Sequence, residues 1–192
     1  TKTLRAIGLE LLPEGIVSNG IIQDEDTLKD IIISIFRKLK ISLTGRPVAI
    51  SLGGEGVYVK RITIDNAQGD IEDTINYEAE QYFSTDIEDI YYKYKILQNM
   101  PNSTMTPVIL VGASRSKVDQ YIAMLKDIEL KPVVVDCAVL SVLNMFDYNF
   151  PSANAVVGII NIGANLTQII FSWNGQYLYS KEIQGGGALY TT

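Results

Sequence analysis

Apolar and polar positions along this chain change period several times, and each change predicts an element. Leu4 to Leu12 is strand-like and closes on Pro13-Glu14-Gly15. From Asp24 to Lys40 the apolar residues Leu28, Ile32, Ile35, Phe36 and Leu39 fall on one helical face, behind the acidic cap candidates Asp24 and Asp26. Arg46–Leu52 and Val57–Ile64 flank Gly53-Gly54-Glu55-Gly56 and read as a hairpin with a glycine-rich turn. A helix follows from Asp70 to Phe83, with an acidic first turn and a stripe of Ile71, Ile75, Ala79 and Tyr82. Ile90–Leu97 then alternates with period two, Ile90, Tyr92, Tyr94 and Ile96 against Tyr91, Lys93, Lys95 and Leu97, which predicts a strand.

After a polar loop over Gln98–Thr106 comes an apolar strand, Pro107–Ala113. Ser116 and Asp119 are cap candidates for a helix running to Glu129, with Val118, Tyr121, Ile122, Leu125 and Ile128 inward. The remaining pattern predicts a strand over Lys131–Asp136, a short helix through Phe146, a strand over Ala155–Asn161 and a closing hairpin. No internal repeat or low-complexity segment interrupts this order. The sum is mixed α/β, with hairpins on both sides of an inserted helix–strand–strand–helix segment over about residues 64–130.

Composition narrows the chemistry. With 192 residues, 47% hydrophobic and 20% charged, the chain can bury a real core. Its net charge of −6 argues against nucleic acid and anionic lipid as partners. The longest apolar runs, such as Ile31-Ile32-Ile33 and Val133-Val134-Val135, are too short to insert in a bilayer, and Thr1-Lys2-Thr3 leads directly into a strand-like segment, so no leader peptide is expected. A single cysteine, Cys137, forms no intrachain disulfide and fits a reducing compartment. The chain holds no histidine, which excludes His-based triads and His-ligated metals.

Four local patterns carry candidate chemistry. Gly53-Gly54-Glu55-Gly56 lacks the following helix and lysine of a P-loop and reads as a tight turn. Tyr91, Tyr92 and Tyr94 with Lys93 and Lys95 have the makings of a nucleic-acid stacking platform, but Asp86-Ile87-Glu88-Asp89 directly upstream would repel phosphate. The plainer reading is a strand with one aromatic core face, whose wet Tyr/Lys face remains open to a protein partner. Asp70, Glu72, Asp73, Glu78 and Glu80 are a carboxylate cluster in composition only: the first three complement a helix dipole, and Glu78 and Glu80 point about 200° apart around a helix. Asn161-Ile162-Gly163-Ala164-Asn165 is the most specific of the four. Strand, glycine turn and hairpin are how a phosphate loop offers backbone amides, yet Asn161 stands where a carboxylate would order a magnesium ion. The plainer reading is a hairpin entry in which Gly163 permits the turn and both asparagines bond to local backbone.

Several of these motifs resemble one family. Tyr77-Glu78-Ala79-Glu80-Gln81-Tyr82 with Asp86-Ile87-Glu88-Asp89-Ile90 is similar to the YEAEQY…DIEDI stretch of PilM proteins of type IV pilus assembly, FtsA-like members of the actin-like superfamily. Leu130-Lys131-Pro132-Val133-Val134-Val135-Asp136 with Leu143-Asn144 resembles their LKPVVVD…LN segment. Asn161-Ile162-Gly163-Ala164 with Gly185-Gly186 resembles their second phosphate loop and the glycines after it. The resemblance implies an actin-like (ribonuclease H-like) half-domain: subdomain 1A over residues 1–63 and 131–192, and an inserted α/β subdomain 1C over 64–130. It implies a cytoplasmic scaffold without catalysis, peripheral to the inner membrane, which holds the N-terminal peptide of a PilN-like membrane protein and links it to the pilus motor. In the family that peptide lies in a groove between 1A and 1C, which these boundaries place near the hairpin 46–64 and the faces of 1C. The alternative within the superfamily is an ATP-dependent switch.

Three departures from the family pattern favour the scaffold. The opening phosphate loop does not precede Leu4, Asn161 and Ala138 stand where acids are expected, and the chain ends at Thr192 without the adenosine-binding half. The site residues implied are therefore Asn161, Gly163, Ala164 and Asn165, a degenerate phosphate loop with no metal ligands. ATP and magnesium are expected only in a longer form. The opening strands implied to be missing would leave a sheet edge to be covered, paired with a second copy or tolerated, so self-association is a further expectation.

Overall fold

The computed structural model describes residues 3–65, 70–83, 86–98, 104–151 and 154–189. In chain order the elements begin with β1 (Val17–Ser18), β2 (Ile21–Ile22), α1 (Glu25–Lys38), β3 (Pro47–Leu52) and β4 (Val57–Asp65). The middle of the chain forms α2 (Ile71–Tyr82), β5 (Ile90–Ile96), β6 (Met105–Ser114), α3 (Arg115–Asp127), β7 (Lys131–Cys137) and α4 (Ala138–Asn149). Three strands close it: β8 (Val156–Ile162), β9 (Leu166–Trp173) and β10 (Gln176–Gln184). Packing divides the chain into two compact units, Thr1–Glu55 with Ser116–Asp136, and Gly56–Arg115 with Cys137–Thr192. This grouping places α3 with the N-terminal elements, whereas the expected inserted subdomain runs over residues 64–130.

The first unit is built on α1 and α3. Asp24 caps α1 by accepting from the Thr27 amide at 3.0 Å and the Thr27 hydroxyl at 2.7 Å. Those bonds, the backbone one first, hold its carboxyl below the ordinary aspartate value. Leu28 from α1 meets Met124, Leu125 and Ile128 in a core that also takes Ile16, Ile22 and Leu130, all buried. The β1–β2 hairpin turns through Asn19 and Gly20, both at positive φ. A Cβ on Gly20 would sit 2.3 Å from the Gly53 carbonyl oxygen, and one on Gly54 would sit 2.4 Å from that of Asn19, so two glycine turns interlock. Lys117 of α3, 6% exposed, fills the space beside them. Its ammonium donates to the carbonyls of Gly53 and Glu55, both at 2.7 Å, and stands 3.5 Å from that of Asn19. One turn on, the Tyr121 hydroxyl donates to the Gly20 carbonyl at 3.1 Å.

Two expectations differ here. The apolar stretch Leu4–Leu12 forms no strand; Leu4, Ile7, Leu9 and Leu11 are 76–90% exposed. An extended segment becomes a strand only when a neighbour takes its N–H and C=O groups, and none among the described residues does. The stretch instead approaches α1 through Gly8, where a Cβ would lie 2.5 Å from Ile35, and through an ion pair between Glu10 and Lys38. Nor do β3 and β4 form a hairpin. β3 pairs with β7, and β4 pairs antiparallel with β6 from Val57↔Ala113 to Asp65↔Met105. Gly54 and Gly56, both at φ +75°, redirect the chain between the two pairings.

In the second unit β6 is the middle strand of the order β4–β6–β5. Its even residues Val108 and Leu110 face Ile75, Ala79 and Phe83 of the α2 segment, as the predicted stripe requires. Gly112 leaves room for Phe83, whose ring would lie 2.6 Å from a Cβ there. Its odd residue Ile109 joins Val139 and Leu143 of α4 with Ile159, Ile170 and Tyr177 from the sheet β10–β9–β8. The β9–β10 hairpin turns through Asn174-Gly175, both at positive φ, as this dipeptide favours.

Replacing Lys117 with Met keeps the stem's bulk but strands the Gly53 and Glu55 carbonyls. It should lower stability by about 2 kcal/mol, read as a lower urea midpoint, and an unchanged midpoint would remove this lock from the account.

Candidate functional site

The turn 163–165 and the glycines 185–187 come together at one end of the β8–β9–β10 sheet. β8 and β9 pair through Asn161↔Gln168, and β9 and β10 through Gln168↔Glu182, so these three side chains stand in a row across the sheet. The row is hydrogen-bonded throughout. The Asn161 amide nitrogen donates to Gln168 Oε1 at 3.1 Å, and Gln168 Nε2 donates to Glu182 Oε1 at 2.8 Å. Gln168 is buried, so both of its bonds are needed for its polar groups to be satisfied. Gln168 and Glu182 are legible only through strand register, which is why motif reading passes over them.

The turn itself is closed by the triglycine segment. Gly163 N–H donates to the Leu166 carbonyl at 2.9 Å, which tightens the turn. The carbonyls of Gly163, Ala164 and Asn165 accept from the amides of Gly187, Ala188 and Gly185 at 2.8, 2.9 and 2.9 Å. Thr167 Oγ1 adds a bond to the Gly185 carbonyl at 2.8 Å. A Cβ on Gly186 would lie 2.2 Å from the Gly163 oxygen, so this close approach demands glycine. The turn thus presents three carbonyl oxygens to its neighbour and commits the Gly163 amide internally. A phosphate needs the opposite polarity, converging N–H groups.

The other sequence candidates are put to structural use. Asp70 caps α2 by accepting from the Glu72 amide at 2.8 Å, and Glu72 accepts from the Tyr94 hydroxyl at 3.2 Å. In the Gly53–Gly56 turn the Gly53 and Glu55 carbonyls serve Lys117. Ala138 opens α4, whose cap residue Cys137 makes no side-chain cap bond. Among the described residues no three carboxylate or thiol groups gather as metal ligands. Lys117, the buried cation, has no sequence signal beyond its spacing of four from Tyr121.

Set beside known proteins, residues 3–192 match the family model described as Type IV pilus assembly protein PilM. The chain belongs to this family. Among solved structures it is similar to a chain of a "PilM-PilN type IV pilus biogenesis complex", with a TM-score of 0.80 and 19% identity over 95% of this chain and 55% of that one. The chain therefore spans about half the length of the PilM structure it matches. At this identity the likeness establishes fold, the mixed α/β, actin-like fold that the motifs imply. More distant are the cytoplasmic domain of EpsL, an inner-membrane component of the type II secretion system of Vibrio cholerae, at TM-score 0.45 and 14% identity over 83% of this chain and 55% of that one. The ethanolamine utilization protein EutJ from Carboxydothermus hydrogenoformans also has a TM-score of 0.45, at 11% identity over 90% of this chain and 41% of that one.

Replacing Asn161 with Asp tests the polar row of this PilM-family chain. An acid at 161 requires Gln168 to turn its amino group toward it, which faces Gln168 Oε1 against the Glu182 carboxylate. Stability should fall by about 1 kcal/mol, read from urea unfolding; a gain in stability would contradict the bonding pattern.

Proposed function

We propose that this chain is the part of a PilM-type scaffold that serves type IV pilus assembly by holding a partner rather than by chemistry of its own. The partner proposed is the short N-terminal cytoplasmic peptide of a PilN-like inner-membrane protein, linked through the scaffold to the pilus motor. The observation that carries this reading is the fold match, over 95% of the chain, to a protein solved as a PilM–PilN complex. Family membership over residues 3–192 supports it independently. The proposed location is the cytoplasmic face of the inner membrane, with the membrane contact supplied by the partner. Among the described residues, no helix is long and apolar enough to cross a membrane.

The absence of catalysis belongs to the same proposal. It is supported by Asn161, whose amide is held by Gln168, and by a turn whose carbonyls are bonded to the triglycine segment. A few remaining amides would hardly offset the entropy of ordering ATP.

Titration calorimetry with the N-terminal peptide of the cognate PilN-like protein should show one-to-one binding in the micromolar range. No heat from folded protein at tens of micromolar would sink the partner assignment. Millimolar Mg-ATP should leave the melting temperature unchanged. A ligand at 100 times its Kd would add about 2.7 kcal/mol, so a clear upward shift would favour the nucleotide-switch reading instead.

A further inference from the structure

β5 is an edge strand, and among the described residues no strand pairs with its outer side. Its pairing with β6 runs unbroken from Ile90↔Ser114 to Ile96↔Val108, with no bulge and no proline in β5. Leu97 N–H donates to the Pro107 carbonyl at 2.8 Å, one step beyond that register. In an antiparallel ladder a residue's N–H and C=O point to the same neighbour, and the direction alternates along the strand. The odd residues of β5 therefore bond to β6, while Ile90, Tyr92, Tyr94 and Ile96 turn theirs outward.

The edge is also electrically polar. Asp86, Glu88 and Asp89 are exposed at its start, and Lys93 and Lys95 are exposed toward its end. Lysines on an edge usually keep other strands away. A strand entered from an acidic 3-10 turn, Ile87–Asp89, and carrying lysines toward its far end is different, because the turn and strand together complement an antiparallel copy of themselves. Register decides whether that complementarity is realised. A twofold axis through Lys93 would pair all of β5 but set Lys93 against its own copy, which is unfavourable. An axis through Tyr91 overlaps only Ile90–Tyr92 as strand. An axis through Tyr92 avoids both faults: it overlaps Ile90–Tyr94 as strand, sets Lys93 opposite Tyr91, brings the outward groups of Tyr92 to those of its copy, and leaves Asp89, at the end of the 3-10 turn just before β5, one step beyond the overlap on the side of Lys95.

We propose that two copies of this protein associate through antiparallel β5–β5 pairing centred on Tyr92, with Asp89 of each copy opposite Lys95 of the other. The three-stranded sheets of the two copies then join into one continuous sheet. The inference is independent of the PilN-like partner and of the fate of the phosphate loop. An interface of two strand edges is small, so the dimer is weak and populated at protein concentrations on the order of a hundred micromolar.

Sedimentation equilibrium over a concentration series tests it. The unmodified protein should pass from monomer to dimer, less completely in high salt. Asp89→Lys alone and Lys95→Asp alone each set like charges opposite one another twice, and each should weaken dimerisation about tenfold or more. Mixing the two variants should restore a one-to-one dimer near the original affinity, since both charge pairs are then opposite again. Both positions are exposed, so circular dichroism and melting should match the parent. Tyr94→Pro removes an outward N–H without touching a bond to β6, and should abolish dimerisation while a folded spectrum is retained. A protein that stays monomeric throughout overturns the proposal, as does a dimer indifferent to the charge variants or a mixture that fails to recover. A monomer that binds an extended acidic peptide through Lys95 also overturns it and gives the edge to another partner.

Discussion

β6 is bonded to strands on both sides and covered on both faces. From Thr106 to Leu110 every residue is buried, and the strand matches β4 over nine positions and β5 over seven. A strand so enclosed has one acceptable register, since a slip of one residue would exchange the residues facing α2 for those facing α4. The surrounding elements inherit that constraint. α2 docks on Val108 and Leu110, while α4 and the β8–β10 sheet dock around Ile109. Among the described residues no strand pairs with the outer edge of β5, and the row that is core at Ile90 is half-exposed by Ile96.

Backbone polar groups explain much of the rest, because an N–H donated within the fold is not free for a ligand and a buried carbonyl must find a donor. At Gly53 and Glu55 the carbonyls are spent on a buried lysine ammonium, which lets two glycine turns lie in contact without stranding their oxygens. At Gly163–Asn165 the carbonyls are spent on the amides of Gly185, Gly187 and Ala188. The second case has the outline of a phosphate loop and a different economy of donors and acceptors. Outline and chemistry separate here because glycine supplies the turn whatever the turn is used for.

Kinship with PilM proteins survives at 19% identity over almost the whole chain. Such tolerance is ordinary for a core that needs apolar residues of the right size and period rather than particular ones. The stretches that resemble the family's, Tyr77–Tyr82, Leu130–Asp136 and Asn161–Ala164, sit on a helix, a strand and a strand end.

By itself the sequence determined the local elements. The α2 stripe of Ile71, Ile75, Ala79 and Tyr82 and the α1 cap at Asp24 are where periodicity and capping chemistry place them, because helix geometry is set by neighbours in the chain. The Asn174-Gly175 turn is local in the same way, its two positive φ angles being cheap for those residues. Pairing was decided elsewhere. That β3 joins β7 and β4 joins β6, although a glycine turn connects β3 to β4, depends on hydrogen bonds between residues far apart in the chain. That Leu4–Leu12 pairs with no strand among the described residues, despite a strand-like pattern, follows from the same cause. Of the candidate site, the turn and its glycines were legible as a motif. The row Asn161–Gln168–Glu182 and the burial of Lys117 among carbonyls were not: the first depends on the register of three strands, and the second on carbonyls 62 and 64 residues away, which no local pattern encodes.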